Sequence, residues 1–175
     1  QAEKLSFLVD ALVKSSRLDN GILTLSPAPH PIQPLLDGAA AQGLAAAGQR
    51  GISLTVLPWE GAARFDSKWT AEALYNVLDN ALKYTPDDGE VEIALKKEGR
   101  MIRLSVSNTI DRPMEREMLD RLFDRFYRGD QSRSSQTGGY GLGLSIAKGI
   151  VLAHRGKIRA ESSGASLSVI VSLPV

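Results

Sequence analysis

The amino-acid sequence predicts an α+β fold, in which a mixed, mostly antiparallel sheet is covered by one layer of helices. Helical and strand-like segments are mixed along the chain, and the later strands follow one another through short, hairpin-like connections. The chain has 175 residues, of which 43% are hydrophobic, so it is long enough to bury a substantial core. It contains no cysteine, which excludes disulfides and Cys-based zinc sites, and no run of 18 apolar residues or signal-peptide pattern.

The first third of the sequence predicts alternating helices and strands. Apolar residues at Leu5, Leu8, Val9 and Leu12 form a helical stripe within residues 3–19, and the sequence DNG ends this helix. The segments that follow are a short strand with a proline-rich connector (ILTLSPAPHPI, 22–32), an alanine-rich helix (32–49), a strand (51–58) and a short strand at ARF (63–65).

The rest of the sequence predicts a long capped helix, a hairpin, further helices and a closing strand pair. Asp66 or Ser67 caps a helix with a broad apolar face that TPDDG ends. The segments that follow are strands at 91–98 and 101–108, a helix at 113–127, a polar loop at 128–139, a helix at 141–154 and strands at 156–163 and 166–174.

Polar residues on one face of the long helix suggest a nucleotide site. Asn76, Asn80 and Lys83 are spaced four and three apart, so they share a face. Asparagine is a poor helix former, and two in mid-helix need a reason. Their carbonyl oxygens would suit a hard cation such as Mg²⁺ while Lys83 meets a phosphate. The alternative is a solvated polar face without a ligand.

A glycine cluster at GGYGLG, residues 138–143, opens the next helix and suggests a phosphate cradle, because the first N–H groups of a helix are unpaired. A dinucleotide fingerprint, with Glu161 as its acidic residue, would need a buried strand just before it, and here a polar loop precedes it. The other interpretation is a mobile lid over a nucleotide, which carries Arg125, Arg128 and Arg133 toward the phosphates.

Three ordered motifs resemble the catalytic, ATP-binding domain of two-component sensor histidine kinases, in the superfamily shared with gyrase, Hsp90 and MutL. NVLDNALKYTPDDG resembles the asparagine box of that family, LFDRFYRGD its phenylalanine box, and GGYGLGLSIAKGIVLAHRGKI its second glycine box. The resemblance implies a two-layer α/β sandwich of the Bergerat type over residues 21–175. Residues 1–20 resemble part of the second dimerisation helix, which precedes this domain in the family.

The resemblance also implies roles for individual residues. Asn80 is the expected magnesium ligand, and Arg128 the arginine that contacts the phosphates during catalysis. ATP-hydrolysing members of the superfamily have a glutamate at the position of Asn76; asparagine cannot act as that base, which favours a kinase over an ATPase. The residues expected to line the nucleotide are Asn76, Lys83, Tyr84, Asn108, Arg128, Gly139, Gly141, Leu142 and Gly143.

The first glycine box of the family, D-x-G-x-G, is altered in this sequence. Asn108 stands in place of the adenine-reading aspartate, and Ile110 and Arg112 replace the glycines. The implied alternative to a kinase is therefore a degenerate, non-catalytic interaction module. We expect ATP binding to survive, because an asparagine carbonyl still accepts a hydrogen bond from adenine. If the amide can turn over, the base is read less strictly; a neighbour such as Thr109 could prevent this.

The implied partners lie outside this sequence. The two histidines, His30 and His154, do not fit the phosphoacceptor motif, so the acceptor histidine is expected on a dimerisation helix elsewhere in the protein. The resemblance implies a homodimer, a cognate response regulator, and a cytoplasmic domain of a protein anchored in the bacterial membrane. The net charge of +1 does not indicate nucleic acid, and none is expected as a partner.

Overall fold

The computed structural model describes residues 1–128 and 140–174. The helices in this part of the chain are α1 (Ala2–Asp19), α2 (Gln33–Gln49), α3 (Ser67–Tyr84), α4 (Arg116–Arg121) and α5 (Gly143–Ala153). The strands are β1 (Ala28–Pro31), β2 (Ser53–Val56), β3 (Ala62–Phe65), β4 (Glu90–Glu98), β5 (Met101–Thr109), β6 (Lys157–Ser163) and β7 (Ser166–Pro174).

The main sheet has five strands in the order β2-β4-β5-β7-β6. Among the described strands of this sheet, β2 and β4 run parallel, and the other neighbouring pairs are antiparallel. A separate antiparallel pair is formed by β1 and β3. The predicted mixed, mostly antiparallel sheet is confirmed.

The helices α2, α3 and α5 cover one face of this sheet. Along β5 the side chains of Ile102, Leu104 and Val106 are buried, whereas the residues between them are half-exposed. This period of two is expected when one face of a strand meets a helical layer. The buried residues of α3 that meet the sheet and its neighbouring helices are Ala73, Leu74, Val77, Leu78, Ala81 and Leu82. The two-layer sandwich is thus confirmed.

Two predicted segments were wrong. The strand expected at the start of 22–32 lies instead in the proline-rich part, at Ala28–Pro31, where it pairs only with β3. Proline is tolerated there because an edge strand leaves one row of backbone N–H positions unpaired. The helix expected over 113–127 is formed only at Arg116–Arg121. Phe126 has φ of 63°, which no right-handed helix allows.

Helix α1 packs against the rest of the molecule through small residues, and most of its predicted apolar stripe is exposed. Ala11 and Ser15 are buried, whereas Leu5, Val9 and Leu12 of the predicted apolar stripe are exposed. The helix is tied to the rest of the molecule by an ion pair of 2.6 Å between Lys14 Nζ and Glu72 Oε1, and by Leu18 against Gly149 of α5. None of the helices in the described part is long and apolar enough to span a membrane.

Asp66 caps α3 and joins it to the preceding chain. Its Oδ1 accepts a hydrogen bond from the N–H of Trp69 at 3.0 Å and its Oδ2 accepts one from Ser26 at 2.8 Å. Burial acts to raise the pKa of Asp66, but these backbone hydrogen bonds outweigh it, and the pKa lies below its ordinary value. His154 completes the junction, because its Nε2 faces the N–H of Asp66 at 3.3 Å and its Nδ1 faces the carbonyl of Ile150 at 2.9 Å.

Substitution of this cap should lower stability in a pH-dependent way. We expect Asp66→Ala to lose about 1–2 kcal/mol of unfolding free energy at pH 7, the range for a lost N-cap. Since the folded-state pKa is depressed, the contribution of the carboxylate is present above the unfolded pKa and is lost as pH falls through the folded pKa. The difference from the parent chain should therefore shrink below about pH 4. Urea denaturation at pH 7 and pH 3 checks this, with the exposed Asp120→Ala as control; a constant difference would contradict it.

Candidate functional site

A cleft opens between the second half of α3, the segment 122–128 and the start of α5; we call it the α3–α5 cleft. Its rim on one side is formed by Phe7 and Ala11 of α1. The other described residues that line it are Asn76, Asp79, Asn80, Lys83, Tyr84, Leu122, Tyr127, Arg128, Tyr140, Gly141, Leu142, Gly143, Leu144 and Ile146. The cleft therefore contains most of the residues predicted for a nucleotide site.

The polar face of α3 forms one wall of the cleft. Asn76 and Asn80 are half-buried, and neither side-chain amide makes a hydrogen bond within the part of the chain that the structure describes. The opposite face of the helix is buried in the core. Because buried polar groups normally find partners, two unengaged amides aimed at a cleft are suited to an external ligand.

Lys83 lies one turn further along the same wall. Its Nζ forms an ion pair of 2.8 Å with Oδ2 of Asp79, and the two side chains are 34% and 39% exposed. Asp79 is the only acidic residue among the described residues that line the cleft. The sequence analysis missed it, although its position three residues after Asn76 and four before Lys83 places it on the same helical face.

Arg50, from the end of α2, fixes the end of α3 that carries Lys83 and Tyr84. Its guanidinium donates hydrogen bonds to the carbonyl oxygens of Leu82, at 2.6 Å, and Thr85. These are carbonyls near the C-terminus of α3, which have no partner within the helix. The sequence offered no signal for this contact, because Arg50 lies 32 residues from Leu82.

The opposite wall is formed where the start of α5 crosses the segment 122–128. Gly141 has φ of 73°, and a Cβ atom there would lie 2.8 Å from the backbone of Phe126. The N–H of Phe126 donates to the carbonyl of Gly141 at 2.8 Å. Gly141 is therefore required for a close approach of two protein backbones, a constraint that the phosphate-cradle interpretation did not include.

The N-terminus of α5 faces the cleft without a cap. Leu142 occupies the N-cap position, none of the described side chains caps the helix, and no acidic residue lies in its first turn. Gly143 follows it, and a Cβ atom there would lie 3.7 Å from Oδ1 of Asn76. Uncapped N–H groups and the positive end of the helix dipole favour an anion at this place.

Two predicted residues, Asn108 and Arg125, are not among the described residues that line the cleft. Gly139, with most of the polar loop expected at 128–139 and the lid that it was expected to form, lies outside the described residues. Asn108 is 3% exposed near the end of β5, and its Nδ2 donates a hydrogen bond of 3.0 Å to the carbonyl of Thr109. In this arrangement the amide donates to Thr109, the neighbour that the sequence indicated could restrain it. Arg125, expected to point at the phosphates, pairs with Asp19.

The oxygen donors of the cleft suit a hard cation that keeps most of its water. Among the described residues there is no cluster of three or more His, Cys, Asp or Glu side chains that could hold a metal alone. The amide oxygens of Asn76 and Asn80 and the carboxylate of Asp79 lie on one helical face. Mg²⁺ uses one or two protein oxygens together with phosphate oxygens and water, so the residues fit that ion when a phosphate is also present.

Comparison with known proteins gives one family and many relatives. The profile of the family described as histidine kinase-, DNA gyrase B- and HSP90-like ATPase matches residues 65–175. The signal transduction histidine-protein kinase BaeS of Escherichia coli K12 is 34% identical over 173 residues, which cover 98% of this chain and 37% of that protein. Nearly all residues of this chain align with the curated relatives of this kind, yet the chain spans only 37% of their length.

Solved structures share the fold. The histidine kinase AdeS of Acinetobacter baumannii superposes with a TM-score of 0.84 at 20% identity, covering 99% of this chain and 80% of that one. The full-length ShkA structure, in complex with AMPPNP, superposes with a TM-score of 0.83 at 25% identity, covering 97% of this chain and 35% of that one.

Proposed function

Because the chain belongs to the histidine kinase-, DNA gyrase B- and HSP90-like ATPase family, we propose that it is the catalytic domain of a sensor histidine kinase. It binds Mg-ATP in the α3–α5 cleft and passes the γ-phosphoryl group to a histidine on another part of the full protein. The observation that carries the proposal is the cleft itself, which places two unengaged amides and a lysine on one wall, opposite Arg128 and the N-terminus of α5.

The cleft supplies positioning and charge rather than covalent chemistry, which is what phosphoryl transfer requires. Lys83 and Arg128 offset the negative charge of the phosphates from two sides, and the backbone of Gly141, Leu142 and Gly143 presents the start of α5. Tyr84 lies at the end of α3 beside Lys83 and contacts the nucleoside part. Gly139 is assigned to the phosphate cradle by the sequence motif alone.

Magnesium is held by Asn80, with Asn76 facing the same space. The ion supplies charge neutralisation between phosphate oxygens when it is bound. Asn80 offers a neutral carbonyl oxygen, which leaves the net charge of a Mg-phosphate group unchanged. Its amide makes no hydrogen bond within the described part of the chain, so metal binding breaks none there.

A kinase is favoured over an ATPase because an amide stands at the position where ATP-hydrolysing members of the superfamily have their base. Asn76 holds the place of the glutamate in ATP-hydrolysing members of the superfamily, and an amide does not accept a proton at neutral pH. ATP is thereby protected from water until a histidine arrives. The degenerate interaction module has less support, because the cleft brings together Asn76, Asn80, Lys83 and Arg128.

The partners follow from the same assignment. Residues 1–20 belong to the second dimerisation helix, and residues 21–175 form the catalytic domain. The exposed apolar residues of α1, among them Leu5, Val9 and Leu12, would pair with the other dimerisation helices of a homodimer. The phosphoacceptor histidine lies on that domain, the phosphoryl group passes on to a response regulator, and the whole protein is anchored in a bacterial membrane with this domain in the cytoplasm.

Binding and transfer should be measured separately. The chain is expected to bind a non-hydrolysable ATP analogue in the presence of Mg²⁺. With labelled ATP the chain alone should remain unlabelled, whereas a supplied dimerisation domain of the same protein should gain an acid-labile label. Absence of nucleotide binding would favour the interaction module, and steady phosphate release without transfer would favour an ATPase.

A further inference from the structure

The carboxylate of Asp79 lies in a cleft that is proposed to bind a polyanion, where an acidic side chain is not expected. It lies on the same wall of the α3–α5 cleft as Asn76 and Asn80, and no other acidic residue lines the cleft among the described residues. Its Oδ2 is 2.8 Å from Lys83 Nζ, which is the cation proposed for the phosphates. The ion pair therefore has to open, or to be shared, when a nucleotide enters.

The electrostatic effect of Asp79 depends on whether the nucleotide carries a divalent ion. A metal-free triphosphate brings about four negative charges into the cleft, and a carboxylate on the wall repels it. Metal-free nucleotide also has to draw Lys83 away from Asp79, and it brings no cation that could take the place of Lys83 beside the carboxylate. With Mg²⁺ bound, two of the phosphate charges are offset, and the carboxylate gains a cation, or one of the waters on that cation, as a new partner.

From this geometry, we propose that Asp79 is a specificity-determining residue that makes the cleft select metal-loaded over metal-free nucleoside triphosphate. The inference rests on the proposed nucleotide site. Asp79 disfavours metal-free ATP by its charge and by retaining Lys83, and Mg²⁺ relieves both effects. The competing explanation is that Asp79 and Lys83 form an ordinary i,i+4 pair on a helix surface, which would support the helix without any relation to the metal.

The test compares two affinities in one protein. The dissociation constant of the β,γ-imido analogue of ATP is measured by calorimetry on the 175-residue chain, once in excess MgCl₂ and once in EDTA. The ratio of the two constants reports the preference for metal-loaded nucleotide. In Asp79→Asn we expect this ratio to fall about two- to fivefold, the size expected for charges that are partly exposed. Most of the fall should come from tighter binding in EDTA.

Two variants control for charge and for structure. Glu92→Gln removes an equal charge from the exposed side of β4 and should leave the ratio unchanged. Asp79→Glu keeps the charge and should retain most of the preference. An unchanged ratio in Asp79→Asn, with both affinities shifted alike, would overturn the inference in favour of the helix pair. Lack of binding by the parent chain in both buffers would overturn the proposed function as well, so the two failures are distinguishable.

Discussion

Replacement of Asn80 by alanine is expected to remove magnesium-dependent nucleotide binding. Asn80 is half-buried in the cleft, and its amide has no hydrogen bond within the described chain, so alanine breaks no internal contact there. The variant should therefore fold as well as the parent chain, while the metal loses its assigned protein ligand. Mutation of a residue that only orients a metal ligand typically lowers metal affinity 10–100-fold. Because Asn80 is proposed to be a ligand itself, we expect its loss to lower the affinity for Mg-ATP more than about 100-fold.

The measurement is calorimetric titration with a non-hydrolysable ATP analogue, in Mg²⁺ and in EDTA. In EDTA the variant and the parent chain should bind alike, because the substitution removes only the metal contact. Asn20→Ala is the matched control, since Asn20 lies at the end of α1 and bonds only to Ser16. Unchanged Mg-ATP affinity in Asn80→Ala would show that the asparagine face of α3 does not hold the metal.

The helices and strands whose structure follows from the local sequence pattern were predicted best. The helix α3 has a strong cap at Asp66 and a continuous apolar face, and its observed bounds agree with the prediction. The strand β5 and the first half of β4 alternate buried residues with more exposed ones, which is a signal with a period of two. In these segments local propensity and tertiary packing favour the same structure.

The errors occurred where a partner distant in sequence decides the structure. The strand at Ala28–Pro31 exists because β3 pairs with it, and no local propensity would place a strand on two prolines. The sequence of α1 showed an apolar stripe but not which face packs, and Ala11 and Ser15 are the residues that face inward. The small side chains allow close packing, whereas Leu5, Val9 and Leu12 stay exposed.

The candidate site shows the same division. Asn76, Asn80 and Lys83 were found because they lie on one helix, where spacing in sequence determines spacing in space. Arg50, which holds the end of that helix, and Phe7, which lies at the rim of the cleft, come from other elements. Only the folded structure shows that they are neighbours of the site.

Substitution of Gly141 by alanine should have the second large effect, and it should act on the fold of the cleft. The residue has φ of 73°, a conformation that costs a residue with a Cβ atom about 1 kcal/mol or more. In addition, the new Cβ would lie 2.8 Å from Cα and C of Phe126 and 3.0 Å from the carbonyl oxygen of Tyr127. These are backbone atoms, so no change of rotamer relieves the contact. We expect a loss of about 2–4 kcal/mol of unfolding free energy, in the range of severe single substitutions.

The structure provides a control that separates the two causes. Gly164, in the turn between β6 and β7, has φ of 57° and open space where a Cβ would lie. Gly164→Ala therefore carries the conformational cost alone, about 1 kcal/mol, and should leave nucleotide affinity unchanged. Gly141→Ala should lose more stability than this control, and any folded fraction should bind Mg-ATP weakly, because the segment carrying Arg128 is displaced from α5. Urea denaturation and calorimetry measure both quantities. If the two alanine variants lose equal stability, the start of α5 and the backbone of Phe126 do not depend on the close approach that only glycine permits.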